Sequence, residues 1–285
     1  MKDTNYRRWK ARKEISLYNE FKHSTYEQMI AVLQENDSLK VNAAIQQLQL
    51  TGTDKAFILA KDMCFSKDKS QRRKGVAILS QFNCSLERGN EIFNLFERVL
   101  KDETSALVKA EVINAMGHQC KKNEQPKERL IAHCARLIND KSSSVRCAIA
   151  FSLSFVQDRK AIPLLEHLLN DANGDVKNWS AFAVNVNDWD SESIRRAFIN
   201  MLSDENEEAR TEALLGLAER KDKRVSATLG QQLTTDIVFD DLIIAAGDLG
   251  DKTLLPVLKS MLDNFDDNEL IKKAIKKLEF INPHV

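Results

Sequence analysis

The sequence has few of the residues that form turns between strands. Among 285 residues there are only 9 Gly and 4 Pro, and 7% of the residues are aromatic. Sandwiches, barrels and Gly-rich nucleotide loops need many such turns, so this composition excludes those classes. With 43% hydrophobic and 29% charged residues, the chain is too hydrophobic to be disordered. We therefore predict an all-α protein that consists of many short helices.

The sequence also lacks the features of membrane and secreted proteins. The chain contains no apolar run of 18 residues, so we expect no membrane span. The basic start of the sequence is not followed by an apolar stretch, which argues against a secretory signal. The 5 cysteines lie at irregular spacing without a CxxC motif, which is typical of a reducing compartment rather than of a disulfide scaffold. We expect a cytoplasmic protein.

The formal net charge of zero hides a strong asymmetry. Residues 1–150 carry 26 Lys and Arg against 18 Asp and Glu, a net charge of +8. Residues 151–285 carry 16 basic against 24 acidic side chains, a net charge of −8. The overall balance argues against a general nucleic-acid coat protein, which needs a basic excess. Partners of opposite charge would prefer different ends of the chain.

The strongest pattern is an internal repeat. An Asp lies between two apolar, helix-like runs, and it recurs every 31 to 38 residues, at Asp37, Asp68, Asp102, Asp140, Asp171, Asp204, Asp236 and Asp267. Each unit predicts a helical hairpin in which the Asp marks the turn and caps the second helix. The second helices also share small residues at fixed positions, as in residues 145–153, 176–184 and 209–217. Small residues allow close packing in a stack of repeats.

These units resemble HEAT repeats of the short bacterial type that is named after phycobilisome lyases. The resemblance rests on the Asp, the Val-Arg or Val-Lys pair that follows it, the Ala-rich second helix, and the Pro-containing starts at residues 161–165 and 254–258. It covers residues 26 to 280 and implies an α-solenoid, a superhelix of about eight helical hairpins. We predict one solenoid domain over residues 26–285 and a basic N-terminal capping helix over residues 1–25, with Trp9, Leu17, Tyr18 and Phe21 as packing residues.

The resemblance implies a function in binding rather than in catalysis. Bacterial HEAT-repeat proteins of this kind are found beside Rhs polymorphic-toxin elements, which implies an interaction protein and, in the finer version, an immunity protein. One alternative is a nucleic-acid-binding protein that uses the basic half, with Arg72, Arg73, Lys74 and Lys109 on second helices. A second alternative is an enzyme of the lyase kind, for which no residue in the sequence provides evidence.

No catalytic motif was found in the sequence. It has no nucleophile elbow, P-loop, dinucleotide loop or HExxH motif. His118, Cys120, His133 and Cys134 lie close together, but their spacing fits no zinc pattern, so we interpret the two cysteines as buried small residues. We predict no catalytic residue, no metal and no cofactor.

A basic residue recurs directly after the turn. It is found in the first six units, as Lys40, Arg72, Lys109, Arg146, Lys177 and Arg210, whereas we place Leu242 and Ile271 there in the last two. We predict that these side chains form a ladder of ion pairs along the turns.

The variable positions of the second helices are the candidate binding residues. In stacked HEAT units these helices line the concave face, and helical periodicity predicts which positions point away from the stack. These positions are Cys147, Phe151, Ser154, Asn178, Phe182, Asn185, Thr211, Leu215, Ala218, Ile243, Gly247 and Gly250. Phe151, Phe182 and Leu215 form an apolar stripe among them, which is typical of a binding groove.

Two tryptophans strengthen this prediction. Trp179 and Trp189 lie within eleven residues of each other, in the acidic half of the chain, and Trp is enriched at binding hot spots. Alternatively, Trp179 fills a gap between helices and Trp189 holds a loop. We predict a groove that binds a protein, for which a basic toxin domain would be suited, through Phe151, Asn178, Trp179, Phe182, Asn185, Trp189, Glu212, Leu215 and Ile243.

Overall fold

All regular secondary structure in the described part of the chain is helical. The computed structural model describes residues 13, 15–122, 126–235, 238–264 and 268–280. The chain divides into two compact units, residues 1–156 and residues 157–285. The predicted all-α solenoid of HEAT-like hairpins is confirmed, whereas a single domain over residues 26–285 stays a prediction.

Residues 1–156 contain a first helix and four helical hairpins. The described part of α1 covers residues 15–21, where the predicted packing residues Leu17 and Phe21 are buried and Tyr18 is exposed. Trp9 lies outside the described residues. The hairpins are α2 (Tyr26–Val32) with α3 (Ser38–Thr51), α4 (Asp54–Cys64) with α5 (Lys69–Ser80), α6 (Leu86–Asp102) with α7 (Ala106–Lys122), and α8 (Lys127–Leu137) with α9 (Ser143–Leu153).

Residues 157–285 contain four more hairpins. In three of them a single 3-10 turn precedes the first helix, at Arg159–Ala161, Lys223–Val225 and Lys252–Leu254. The hairpins are α10 (Ile162–Leu168) with α11 (Gly174–Val186), α12 (Glu192–Met201) with α13 (Glu207–Glu219), α14 (Ser226–Gln232) with α15 (Asp240–Leu249), and α16 (Leu255–Asn264) with α17 (Glu269–Glu279).

The second helices of successive hairpins pack closely within each unit, and the first helices of neighbouring hairpins touch less. Glycine makes two of these approaches possible. A Cβ atom on Gly117 would lie 2.8 Å from Cα of Ser152, and one on Gly216 would lie 2.4 Å from Oδ1 of Asn185. A side chain at position 117 would therefore clash with the backbone of the neighbouring helix, and one at position 216 would displace the side chains of Asn185 and Phe198, so the predicted role of small residues in close packing is confirmed at these positions.

The turn Asp caps the second helix directly in the first two repeats, and the predicted turn residues Asp236 and Asp267 lie outside the described residues. The carboxylates of Asp37 and Asp68 accept hydrogen bonds from N–H groups in the first turns of α3 and α5. Asp140, Asp171 and Asp204 lie further upstream, and each accepts the N–H of the residue two positions on, at 2.8 to 2.9 Å. The predicted cap is wrong for these three repeats, because an Asx turn leaves the N-cap position to Ser142, Asn173 and Asn206.

The predicted ion-pair ladder is found at Arg72, Lys109 and Lys177, whereas Lys40 pairs with Glu35 of its own repeat and Arg210 donates to two carbonyls of its own turn. Arg72 donates to the Glu103 carboxylate at 2.7 and 2.9 Å, and Lys109 Nζ lies 3.1 Å from the Asp140 carboxylate. Lys177 pairs with Asp204. In each case the basic residue of one repeat contacts an acidic residue at the turn of the next. The ladder therefore ties neighbouring turns together within each unit.

Every helix in the described ranges is too short or too polar to cross a lipid bilayer. Cys120 and Cys134 are both buried, as predicted for small core residues. The Cys134 Sγ lies 3.7 Å from the Ser152 Oγ, and burial raises the pKa of the Cys134 thiol to about 12. The described residues include no cluster of three or more His, Cys, Asp or Glu that is arranged to hold a metal ion.

Candidate functional site on the second-helix face

The second helices of residues 157–285 end in equivalent turns, and these turns establish which helix positions correspond. The backbone adopts a positive φ at Asp188 (53°) after α11, at Lys221 (54°) after α13 and at Gly250 (71°) after α15. The next residues in the last two cases, Asp222 and Asp251, both accept the N–H two positions further on, at 3.2 and 3.0 Å. Counting back from these turns gives the same pattern of buried and exposed residues in all three helices.

Three rows of side chains run across this face, from α11 through α13 to α15. The central row, which we call the apolar stripe, lies five residues after the basic residue of the turn in α11 and α13, and consists of Phe182, Leu215 and Ile244. The row on its N-terminal side consists of Trp179, Glu212 and Asp241, and the row on its C-terminal side consists of Val186, Glu219 and Asp248.

The stripe corrects the prediction for α15. This helix has 10 residues, whereas α11 and α13 have 13 each, because its first turn is missing. Leu242 therefore does not take the position of the basic residue, and the register shifts. Ile243, a predicted binding residue, is only 3% exposed and packs into the core, whereas Ile244 is 42% exposed. Gly247, which was predicted to face a partner, is also buried. The apolar stripe therefore continues on α15 with Ile244.

The α11 end of the face is an exposed aromatic pair. Trp179 and Phe182 are each 36% exposed, and their rings form a T-shaped pair with centroids 5.6 Å apart. Val186, which is 46% exposed, lies on the same side of the helix, seven residues after Trp179. Sequence reasoning missed Val186, although its helical spacing from Trp179 and Phe182 was readable. The three side chains present an apolar surface at one end of the stripe.

Asn185 is half-buried and belongs to an internal hydrogen-bond network, and its part in binding stays a prediction. Its Nδ2 donates to the Glu212 backbone carbonyl at 3.0 Å and to the Glu212 carboxylate at 3.1 Å. Its Oδ1 accepts from the Arg220 guanidinium at 2.9 Å. The equivalent position in α13, Ala218, was also predicted to face outward and is fully buried. This position faces the neighbouring helix because the helices pack so closely there.

Trp189 is held through its main chain. Its N–H donates to the Val184 carbonyl at 3.1 Å, and its carbonyl accepts from Arg220 Nη2 at 2.7 Å and from Nε at 3.1 Å. Its side chain is half-buried. These contacts agree with the alternative in which Trp189 holds a loop, and its part in binding stays a prediction.

Four carboxylates flank the stripe on α13 and α15. Burial raises the pKa of the Glu212 carboxyl above its ordinary value, the hydrogen bond from Asn185 opposes this, and the charges of Glu219 and Asp241 add to it. Asp248, in the other flanking row, pairs with Lys277 of α17. Glu212 is half-buried, and the negative charges of Glu219 and Asp241 lie near it. This concentration of negative charge favours a cationic partner.

A cleft of about 410 Å³ lies where α15 lacks its first turn. Its apolar lining includes Leu202, Leu214, Leu242 and the exposed ring of Phe239, and Thr211 of α13 lies at its edge. Thr211 is exposed on the same helix face as Leu215, one turn earlier. The missing turn thus leaves an opening beside the stripe.

The remaining predicted residues are less accessible. Asn178 is half-buried. Phe151 belongs to residues 1–156, where it packs against His118 and Phe155 with ring centroids 5.7 and 5.1 Å apart. Phe151 therefore contributes to an aromatic cluster of its own unit, and its role in binding stays a prediction.

The basic residues that suggested nucleic-acid binding have partners within the protein. In addition to the ladder contacts of Arg72 and Lys109, Arg73 lies 3.4 Å from the Glu111 carboxylate. Lys74 Nζ donates to the Leu33 carbonyl at 2.5 Å. These internal contacts use the cations on which that alternative depends, so this arrangement does not favour it.

Comparisons with known proteins agree with the repeat architecture. A family model described as HEAT repeats matches residues 94–185. A crystal structure of an engineered protein is similar in fold, with a TM-score of 0.55 and 15% identity over 94% of this chain and 83% of that chain.

A much closer similarity is found with protein YibA of Escherichia coli. In strain K12 the two sequences are 43% identical over 274 residues, which cover 96% of this chain and 98% of YibA. An X-ray structure of YibA superimposes with a TM-score of 0.83 and 42% identity, over 94% of this chain and 97% of that chain. The chain therefore belongs to the HEAT-repeat family that includes Escherichia coli YibA.

Proposed function

We propose that the chain is a non-catalytic scaffold that captures a protein partner on the second-helix face of residues 157–285. The observation that carries the proposal is the apolar stripe on α11, α13 and α15 with its exposed aromatic end, Trp179 and Phe182. An exposed aromatic pair beside aliphatic side chains is typical of a hot spot for protein binding. HEAT repeats, the family of this chain, form stacks whose surfaces suit protein recognition.

We further propose that the partner is basic and, in the finest version, that it is a toxin domain neutralised by this chain. Two features support a basic partner: the net charge of −8 on residues 157–285, and the four carboxylates beside the stripe. Complementary charge would steer such a partner toward the face and accelerate association.

The test begins with affinity capture from the native cell, with the wild-type chain and with Trp179→Ala/Phe182→Ala as bait. A captured protein is then purified and titrated against both chains by calorimetry. We expect the double substitution to weaken binding by about a hundredfold, because aromatic hot-spot residues each contribute about 1–2 kcal/mol or more. Circular dichroism checks that helicity is unchanged.

Phe280→Ala is the matched control, because Phe280 is 76% exposed in the same unit but lies outside the three rows. Its affinity should equal that of the wild type. Equal affinity of the double variant and the wild type would remove this face as the binding site. For the finer proposal, the partner is expressed alone and together with the chain. A partner that does not impair growth would contradict the immunity role and leave the scaffold role standing.

A further inference from the structure

The spacing of the stripe specifies the shape of what can lie on it. Packed helices lie about 8–10 Å apart, so Phe182, Leu215 and Ile244 follow one another at roughly that interval. Seven residues of an α-helix rise about 10.5 Å, whereas side chains on one face of a strand repeat about every 6.7 Å. A partner helix that crosses the second helices would therefore bring one apolar residue onto each stripe position per two turns.

The flanking rows specify the charge of that helix. Along α13, Glu212 and Glu219 lie three residues before and four residues after Leu215, which places them about 4.5 and 6 Å from it along the axis. Asp241 and Asp248 flank Ile244 in the same way, but Asp248 is paired with Lys277 of α17, so a partner cation would be attracted chiefly to Glu212, Glu219 and Asp241. A helix with side chains is about 10–12 Å wide, so cations on both of its flanks would reach the two acidic rows.

The face is also asymmetric along the stripe. At α11 both flanking positions are apolar, Trp179 and Val186, whereas at α13 and α15 all four are acidic. The fitting helix is therefore apolar around one end and has basic flanks along the rest. This asymmetry sets one orientation of the helix across the face, because the reverse orientation would place the apolar flanks of the helix against the carboxylates of α13 and α15.

We propose that the partner binds through a basic amphipathic helix that lies across α11, α13 and α15. Its apolar residues contact Phe182, Leu215 and Ile244. Its Lys or Arg side chains extend from both flanks toward the row of Glu212 and the row of Glu219. This inference rests on the proposed function and names the partner segment that the same face would take. Burial of Glu212 beside other carboxylates adds to the attraction for a cation.

The test uses three synthetic peptides of about 18 residues, long enough to span the stripe as a helix. The first carries Leu at heptad spacing with Lys on both flanks and an apolar end. The second has the same composition arranged with the two-residue period of a strand. The third has Glu in place of Lys. We expect the first peptide to bind the full chain at least about tenfold more tightly than the others, by fluorescence anisotropy, and to become helical on binding.

Two variants locate the peptide, and a third is their control. Ile244→Ser changes only a solvent-exposed residue of the stripe, and Glu212→Gln removes one flanking charge while keeping the side-chain shape. We expect each substitution to lower the affinity for the first peptide by about five- to tenfold, because each removes one contact of hot-spot size. Phe280→Ser, outside the face, should change nothing.

The outcomes separate this inference from the proposed function. If the strand-patterned or the acidic peptide binds as tightly as the first peptide, the proposed helical partner segment is wrong. It is also wrong if Ile244→Ser binds the first peptide as tightly as the wild-type chain does. If a purified partner depends on Trp179 and Phe182 while the first peptide fails to bind, the partner uses another kind of segment and only the helix is wrong. If the first peptide binds as expected and no partner depends on the aromatic pair, the scaffold role loses its support while the helix-binding face remains.

Discussion

The second helices of residues 1–156 and those of residues 157–285 share one backbone plan but present different faces. Five residues after the basic turn residue, the first unit has Ile45, Ala77, Asn114 and Phe151, and the second unit has Phe182 and Leu215 with Ile244 at the equivalent place. The first series is mixed in polarity and includes the buried Ile45. The second is apolar throughout, with Phe182 and Ile244 exposed and Leu215 half-buried.

Several polar groups on the second helices of the first unit contact neighbouring helices. Gln49 Nε2 donates to the Ala77 carbonyl at 2.7 Å, and Lys74 and Arg73 contact groups of neighbouring helices. Around the stripe of the second unit, carboxylates stand beside one another instead, at Glu212 and Asp241. The comparison indicates that a surface on which carboxylates surround an apolar row, rather than one whose cations are paired inside the unit, is where a basic partner is to be sought.

The largest expected effect on the free energy of unfolding comes from the hydrogen bonds that join the end of one second helix to the next second helix in each unit. Gln119 of α7 donates to the Leu79 and Ser80 carbonyls at the end of α5. Arg220, directly after α13, does the same for the Trp189 and Val184 carbonyls after and within α11. We expect Arg220→Met to destabilise the protein by about 3 kcal/mol or more, because it leaves several buried acceptors without their donor.

Gln119→Met is the matched substitution in the first unit. It removes a neutral donor and should cost about 1–2 kcal/mol, less than the loss of a guanidinium that serves four acceptors, which are the Trp189, Val184 and Gly216 carbonyls and the Asn185 Oδ1. Urea unfolding followed by circular dichroism gives both values. Equal costs for the two variants would show that the charged network of the second unit is no stronger than the amide contact of the first.

The second prediction compares two phenylalanines at equivalent positions. Phe182→Ala should weaken partner binding by about tenfold or more with a smaller loss of stability than Phe151→Ala, because Phe182 is 36% exposed. Phe151→Ala should cost about 1–2 kcal/mol of stability, because its ring packs against His118 and Phe155. Calorimetric titration and thermal unfolding of the same two variants measure both effects. A larger binding loss from Phe151→Ala would move the binding face to the first unit.

The third prediction uses equivalent turns within the second unit. Lys221 and Gly250 both have a left-handed backbone, with φ of 54° and 71°. Lys221→Gly should stabilise the protein by about 1 kcal/mol, since a side chain is strained in this conformation. Gly250→Lys should destabilise it by about the same amount. Chemical unfolding of both variants tests the equivalence, and changes of the same sign would show that the two turns differ.

The sequence predicted the repeats, the ladder and the aromatic pair because each depends on local periodicity. The turn Asp and basic residue recur with every unit, and the spacing of Trp179 and Phe182 lies within one helix. The register of α15 could not be predicted this way. Its missing turn shifts every position, and only the Gly250 turn, which matches the Lys221 turn in three dimensions, reveals that Ile244 rather than Ile243 is exposed.

The contacts between helices at Asn185 and Ala218 could not be predicted from the sequence either. Asn185 was assigned to the outer face from the helical angle alone, but the close approach of α11 and α13 brings it against Glu212 and Arg220. The same approach buries Ala218. Such distances depend on Gly216 and its neighbours together, so no single-helix pattern contains them.

The smallest expected effect contrasts the carboxylate of the binding face with one of the ladder. Burial opposes ionisation of Asp204, but hydrogen bonds from Lys177 and from the Asn206 N–H outweigh it, so the pKa of Asp204 is lowered. Ionised Asp204 therefore stabilises the fold, and this contribution is lost as the pH falls through its lowered pKa. The pKa of Glu212 is raised, chiefly by burial, so ionised Glu212 destabilises the fold until the pH falls through that raised pKa.

Glu212→Gln should accordingly stabilise the protein at neutral pH by about 0.5 kcal/mol, because it removes a charge that lies next to Glu219 and Asp241. The gain should shrink as the pH falls into the range where the wild-type carboxyl takes up its proton. Asp204→Asn should have the opposite sign at neutral pH. Thermal unfolding of the three chains between about pH 4 and pH 7 separates the two cases, because ordinary carboxyl groups titrate near the lower end of that range. Destabilisation by Glu212→Gln at neutral pH would mean that Glu212 serves the fold, as Asp204 does, and that its charge is already matched without a partner.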